Sequence, residues 1–259
     1  MVAALSDIHT LISALGPADQ LIQIPLADAA KAAGVSRFLP CAAITVIPAG
    51  GIQHMRDQKE QVYNHIKKIY LPYTIVDVGW WYQIAFPRLP SGKIDYAVML
   101  PNIHIAGDGN TPSALTDVRD IGPYVARIVA DERTSNKYVL VYNELWTQNA
   151  IWDTLSRLSG EEVPKTYESA EFIEEQIAKL SGTGDIKLHG YEYKRSWGIR
   201  GDNTPEYAKF LGYLTSKELY PDFEFVGFEE YLKEVLAGST HEIYPVRRAE
   251  LLKQLAEKK

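Results

Sequence analysis

Cysteine is almost missing from this sequence. Cys41 stands alone among 259 residues, which excludes an intramolecular disulfide and suits a reducing compartment. The six histidines show no metal-ligand spacing, and a single thiol adds too little to build a zinc constellation. No run of about 18 apolar residues occurs, so no membrane-spanning helix is expected. The opening MVAALSDIHT has neither the basic region nor the apolar stretch of a secretory signal, and a cytoplasmic chain is expected. Positive charge is not in excess either: 27 Lys and Arg face 33 Asp and Glu, a net charge of −6, with no basic cluster. That balance offers no general attraction for phosphate backbones or anionic bilayers, so neither nucleic acid nor membrane is an expected partner. Internal repeats and low-complexity tracts are also absent, which excludes solenoids and arrays.

Hydrophobic residues make up 46% of the chain, enough for a substantial core in one domain, with or without a small second lobe. The apolar and β-branched stretch from Ile8 to Leu15, stopped by Gly16 and Pro17, reads as a buried strand. A helix is expected from Pro17 to Ala33, kinked or interrupted by Pro25 and ended by Gly34. Val35 to Pro40 is a second strand, Gln53 to Tyr70 a helix, and Tyr73 to Val78 a third strand ending at Gly79. This alternation with short connections predicts a parallel sheet covered on both faces. Beyond an apolar stretch from Lys93 to Ile105 and the turn cluster Gly107 to Asn110, a helix from Ile121 to Ala130 leads to a strand from Lys137 to Tyr142. Helices are then expected over Thr147 to Ser159, Ser169 to Leu180, Pro205 to Ser216 and Glu229 to Leu236, before a charged tail. Ser181 to Asp185 reads as a hinge or loop.

The helix from Gln53 to Tyr70 carries the sharpest chemical signal. Val62, Ile66 and Ile69 define its sheet-facing stripe, and Lys59, three residues before Val62 and seven before Ile66, falls on it. An ammonium held against a sheet needs a partner or a lowered pKa, because desolvating it is costly. The alternative is a lysine whose stem lies on the sheet while its head reaches water. Tyr63 and Lys67 have the spacing of the Tyr and Lys pair of short-chain dehydrogenases, but Lys67 lies only six residues before Tyr73, too close to the next strand. Ligands of open parallel sheets bind at the carboxyl ends of the strands, here Ser13 to Gly16, Pro40 to Ala43 and Val78 to Tyr82. Gly79 would admit a ligand close to the backbone, and Trp80, Trp81 and Tyr82 either wall an apolar or aromatic substrate or belong to the core. Cys41 reads as a small buried apolar residue or as a nucleophile without a nameable base.

Laid out in order, several strings make the chain similar to the NmrA-like family, close to its isoflavone reductase and phenylcoumaran reductase branch. They are Ala32-Ala-Gly-Val-Ser-Arg-Phe-Leu-Pro40, Lys59 with the helix running into Leu71-Pro-Tyr-Thr74, Ile105-Ala-Gly-Asp-Gly-Asn110, Thr116-Asp-Val-Arg-Asp-Ile-Gly122, Leu219-Tyr-Pro-Asp-Phe-Glu-Phe225 and Glu230-Tyr-Leu232. The resemblance implies an α/β fold, a Rossmann-type parallel sheet lacking its first strands here, with a smaller C-terminal substrate lobe. It assigns residues 1–82 and 113–145 to the sheet core, and 83–112 and 146–259 to the lobe. It further implies NADPH as cofactor and hydride transfer to a small, aromatic or polyketide-like molecule, with secondary metabolism in fungi as the setting. Lys59 falls on the family's active-site lysine, which assists proton transfer or binds the nicotinamide ribose. Ser13, Gly16, Cys41, Val78 and Gly79 join it as cofactor-side positions, and Trp80, Trp81 and Tyr82 as substrate-side positions. The family's glycine-rich turn, with its first three strands, is expected before residue 1. No G-x-G-x-x-G or G-x-x-G-x-x-G follows a strand in this sequence, so weakened dinucleotide affinity is expected. Cys41-Ala-Ala-Ile44 stands where the family has Ser-Glu-Phe-Gly, which alters the substrate wall. The rival expectation is a non-catalytic protein that senses dinucleotides; oligomeric state is left open.

Overall fold

The computed structural model describes residues 1–100, 103–240, 243–245 and 249. In chain order the strands are β1 (Thr10–Ile12), β2 (Arg37–Leu39), β3 (Thr74–Val78), β4 (Trp80–Trp81), β5 (Ile105–Ala106), β6 (Ser113–Thr116), β7 (Lys137–Val141), β8 (Glu144–Trp146), β9 (Tyr167–Glu168) and β10 (Leu214–Thr215). The helices are α1 (Gln23–Ala32), α2 (His54–Lys68), α3 (Val118–Val129), α4 (Gln148–Ser159), α5 (Ala170–Leu180), α6 (Lys187–Tyr193), α7 (Pro205–Phe210), α8 (Ser216–Leu219) and α9 (Phe228–Ala237). A π-helical turn, Lys194–Arg200, continues α6.

The main sheet has the order β1-β2-β3-β7-β10 and is parallel throughout; β2 and β3 meet at a bridge between Phe38 and Tyr73. Its central strand β3 is buried along its whole length, as expected of a strand with helices on both faces. Alternate residues go to opposite sides. Ile75 packs with Phe38 against Ala27 and Ala30 of α1 and Val62, Tyr63 and Ile66 of α2. Val76 and Val78 pack with Leu39 and Val139 against Tyr124 and Ile128 of α3. At Gly79 the chain leaves this sheet for a smaller one, ordered β4-β6-β8, and a separate core forms there around Tyr82, Phe86, Trp152, Phe228 and Tyr231.

Helix α2 is built as its sequence suggests. The Gln53 side chain caps it by accepting from the Arg56 amide, Asp57 sits in the first turn, and Lys67 and Lys68 sit in the last, where they suit the helix dipole. Its buried face carries two cations, Arg56 and Lys59, among Met55, Val62, Tyr63 and Ile66. Arg56 is neutralised within the fold: Nη1 lies 2.6 Å from Oδ2 of Asp77 on β3, and Nη2 lies 2.9 Å from Glu60 and 2.8 Å from the Tyr213 hydroxyl. Tyr213 in turn donates to Asp77 Oδ2 at 2.5 Å.

Three expected elements differ. The strand from Ile8 to Leu15 shrinks to β1, an edge strand that is not buried, with Ile8 and Ile12 exposed; paired only to β2, it has no second neighbour to bury it. Pro25 does not kink a long helix, because Pro17–Ile22 is a separate 3-10 turn and Pro25 falls in the first turn of α1, where no backbone N–H is needed. The helix expected from Pro205 to Ser216 stops at Phe210, and a turn through Gly212, at φ +88°, lets the next residues form β10 at the sheet's other edge. Pro101 and most of the charged tail lie outside the described residues.

Asp77→Ala leaves Arg56 buried beside a lost partner, and is expected to lower the unfolding free energy by about 3–5 kcal/mol in a denaturant titration. Tyr213→Phe, which removes one hydroxyl from the same network, is expected to cost about 1–2 kcal/mol.

Candidate active site

Lys59 points from α2 toward the carboxyl ends of β1 and β2 and is 2% exposed. That burial excludes a head group in water. Its Nζ donates to the Gln20 side-chain carbonyl at 2.7 Å and to the Cys41 backbone carbonyl at 2.6 Å. Both acceptors are neutral. Burial therefore lowers the Lys59 pKa from its ordinary 10.5, a shift that Arg56 deepens and that Cys41 and Asp77 only partly oppose.

Around this ammonium the structure assembles the ends of the first two strands. Ser13 donates its amide to Leu39, while its Oγ is buried with no partner among the described residues. The Gly16 carbonyl accepts from the Gln20 side-chain amide, and a Cβ added at Gly16 would meet nothing within 4 Å, so this loop is open on that side. The Cys41 amide donates to Gln23 and its thiol faces the Leu15 carbonyl at 3.4 Å. Val78 is buried at the end of β3, its amide bonded to the Ile44 carbonyl. The loop between β2 and α2 is held at several points: the Asp57 carboxylate accepts from Gly50 and Gly51, Arg195 donates to the carbonyls of Gly51 and Ile52, and Asn203 accepts from Val46.

Other expected positions turn out differently. A Cβ at Gly79 would lie 2.5 Å from the Ala114 carbonyl oxygen, and the Gly79 amide already donates to Val141 and Thr116. The glycine is there because β6 crosses it, and its vacant side is filled by the protein itself. Tyr82 is a core residue, fully buried against Phe228 and Tyr231 with its hydroxyl on Glu144. Trp81 turns toward the α3 side of the main sheet and stacks on Tyr244. Trp80 packs on the same core with its ring partly exposed and, with Trp146, Trp197, Ser113 and Gln148, lines a small cavity, its ring 5.2 Å from Trp197. Tyr63 and Lys67 do not act together. Burial, with Asp77 behind it, pushes the Tyr63 hydroxyl well above its ordinary value, while Lys67 reaches the Tyr138 hydroxyl on the surface.

With this arrangement of strand ends and buried lysine established, the sequence comparison decides the kinship: the model of the NmrA-like family matches residues 1–232. The chain belongs to the NmrA-like family. Within it, the chain is 47% identical over 251 residues to asnovolin J 5',6'-dehydrogenase of Aspergillus novofumigatus, a match covering 92% of this chain and 76% of that protein. An isoflavone reductase-like protein of Olea europaea is 27% identical, over 90% of this chain and 77% of the relative. Among solved structures, the leucoanthocyanidin reductase–NADPH complex of Vitis vinifera superposes with a TM-score of 0.75 at 21% identity, covering 89% of this chain and 76% of that one. A structure of AtPrR2 with NADP+ and (+)-pinoresinol gives 0.72 at 25%, covering 90% and 77%. The NmrA-like α/β fold with its parallel sheet is thereby the fold of this chain. Among the described residues no helix is long and apolar enough to cross a membrane, and no group of His, Cys, Asp and Glu could hold a metal.

Gln20, Gln23, Asn203 and Trp197 were not singled out by the sequence. A glutamine in an apolar turn gives no periodic signal, and Asn203 and Trp197 are far along the chain from the loops they touch.

Gly79→Ala is expected to cost about 1–3 kcal/mol or more in thermal unfolding, because the new Cβ meets fixed backbone of β6. Between the lowered Lys59 pKa and 10.5, the unfolded chain holds the Lys59 proton more tightly than the folded one, so folding releases it and wild-type stability gains as pH rises. Measured by urea titration from neutral pH to about pH 10, wild-type stability relative to Lys59→Met is therefore expected to increase; a constant difference would refute the lowered pKa.

Proposed function

We propose that this protein is an NADPH-dependent oxidoreductase that reduces a small, aromatic or polyketide-like metabolite in fungal secondary metabolism. The observation that carries this reading is the buried Lys59 ammonium, suspended between two neutral acceptors at the ends of parallel strands. The family's members named above support it: one is a fungal dehydrogenase, others are plant reductases, and the superposed structures carry NADPH or NADP+.

The residues present fit the nicotinamide end of such a cofactor. Ser13 Oγ, three residues before Gly16, is buried with no partner among the described residues, so a ribose hydroxyl or carboxamide reaching it would satisfy it. When bound, NADPH supplies the hydride that a carbonyl or enone carbon of the substrate receives. Lys59 places positive charge where the substrate oxygen gains negative charge, and gives that oxygen its proton. Burial makes the proton easier to release than from a lysine in water. On the substrate side we place Trp80, whose partly exposed ring lies against the buried Trp197, as an apolar wall for an aromatic substrate. The single cysteine and the charge balance suit a cytoplasmic setting.

The test is NADPH titration followed by turnover with a panel of aromatic ketones and enones. Lys59→Ala is expected to lower kcat by about 10²–10⁴-fold with the fold intact by circular dichroism. Unchanged turnover would remove the lysine from the mechanism, and NADPH binding weaker than millimolar would remove the cofactor.

A further inference from the structure

The side chain of Gln20 is 1% exposed and uses both ends of its amide. Its Nε2 donates to the Gly16 carbonyl at 2.7 Å, and its Oε1 accepts the Lys59 ammonium at 2.7 Å. One turn on, Gln23 is also buried; it accepts from the Cys41 amide at 2.6 Å and donates to the Gln20 backbone carbonyl at 3.2 Å. The loop after β1 and the loop after β2 therefore hang from one short turn, and Lys59 is tied to both, through Gln20 and through the Cys41 carbonyl. A buried amide costs stability unless every polar atom finds a partner. Here each partner belongs to the candidate site.

The chemistry of the acceptor also matters. A carboxylate at this position would neutralise the ammonium and hold its proton; an amide oxygen aims the ammonium without neutralising it. Two of the three Nζ–H bonds are committed, to Gln20 and Cys41, and the third has no acceptor among the described residues. The carboxylate that packs nearest, Asp77 of β3, is engaged by Arg56 and Tyr213. Other ionisable groups facing Lys59 are the Cys41 thiol from the loop after β2 and Arg56 from its own helix. Asp19, beside Gln20, is exposed, and Asp28 and Lys31 of α1 are engaged with His65 and the Tyr70 carbonyl near the far end of α2.

We propose that Gln20 is the positioning residue for Lys59, aiming its free N–H and making the ammonium move as one unit with the Gly16 loop. The proposal rests on the reading of Lys59 as proton donor, but part of it is measurable without turnover. The experiment is a pH titration of the Lys59 side chain by NMR in protein carrying ¹³C-labelled lysine, with Lys59→Ala identifying the signal. It compares wild type with Gln20→Met, which keeps the length but removes the acceptor, and with Gln20→Glu, which keeps an acceptor and adds charge. The Lys59 midpoint is expected to fall in Gln20→Met and to rise in Gln20→Glu. Wherever a panel substrate turns over, Gln20→Met is expected to lower kcat by up to about 100-fold, the scale of a misplaced reacting group, with KM changed far less. Should Gln20→Met fail to fold, Gln20→Glu alone decides by its upward shift. Midpoints that stay at the wild-type value in the folded variants overturn the proposal, even if Lys59→Ala abolishes turnover. Full turnover in Lys59→Ala instead overturns the proton-donor reading, and with it the catalytic part of the role assigned to Gln20.

Discussion

An aspartate in the middle of a fully buried strand is an expensive residue, and much of this site is arranged around satisfying one. Asp77 cannot reach water from β3, so a cation and a hydroxyl must come to it. Arg56 comes from α2 and Tyr213 from the turn before β10. The pair thereby fixes how α2 is rotated about its own axis on the sheet. Once Arg56 faces Asp77, the residue three positions on must emerge at the strand ends, and that residue is Lys59. Its placement follows from the partner that another side chain requires.

This dependence also separates two kinds of buried cation on one helical face. Arg56 meets formal negative charge and is locked in its protonated form. Lys59, one turn away, meets only carbonyl oxygens. Burial acts on both, yet only the lysine has its pKa lowered, because the groups beside it offset the cost of carrying charge only in part. The difference lies in the partner rather than in depth.

The sequence made the sheet legible where strands are central and helices long. The stripe of Val62 and Ile66 located the buried face of α2 and put Lys59 on it, and the run from Tyr73 to Val78 became the central strand. It was less informative at edges, where β1 and β10 are short and their pairing depends on neighbours far along the chain. Gly79 shows why a glycine at a strand end misleads: the demand for close approach was correctly sensed, but the approaching backbone is Ala114 of the chain itself. Spacing could not tell how far each aromatic residue is buried: Tyr82 lies fully inside the core of the small sheet, while Trp80 packs on the same core with its ring partly exposed and lines a small cavity. Gln20 left no trace, since one polar residue in a turn has no pattern to break.

The turn at Gly79 sends two adjacent tryptophans to separate neighbourhoods. Trp80 joins Trp146 and Trp197 on the small sheet, while Trp81 covers the α3 side of the main one. Among the described residues, none of these rings hydrogen-bonds to the turn that carries Gln20 and Gln23. Substitutions among these rings can therefore accumulate without removing a partner of the ammonium or of its acceptors. The aromatic cluster and the hydrogen-bond shell of the lysine are thus separately heritable parts of one fold, free to diverge at different rates.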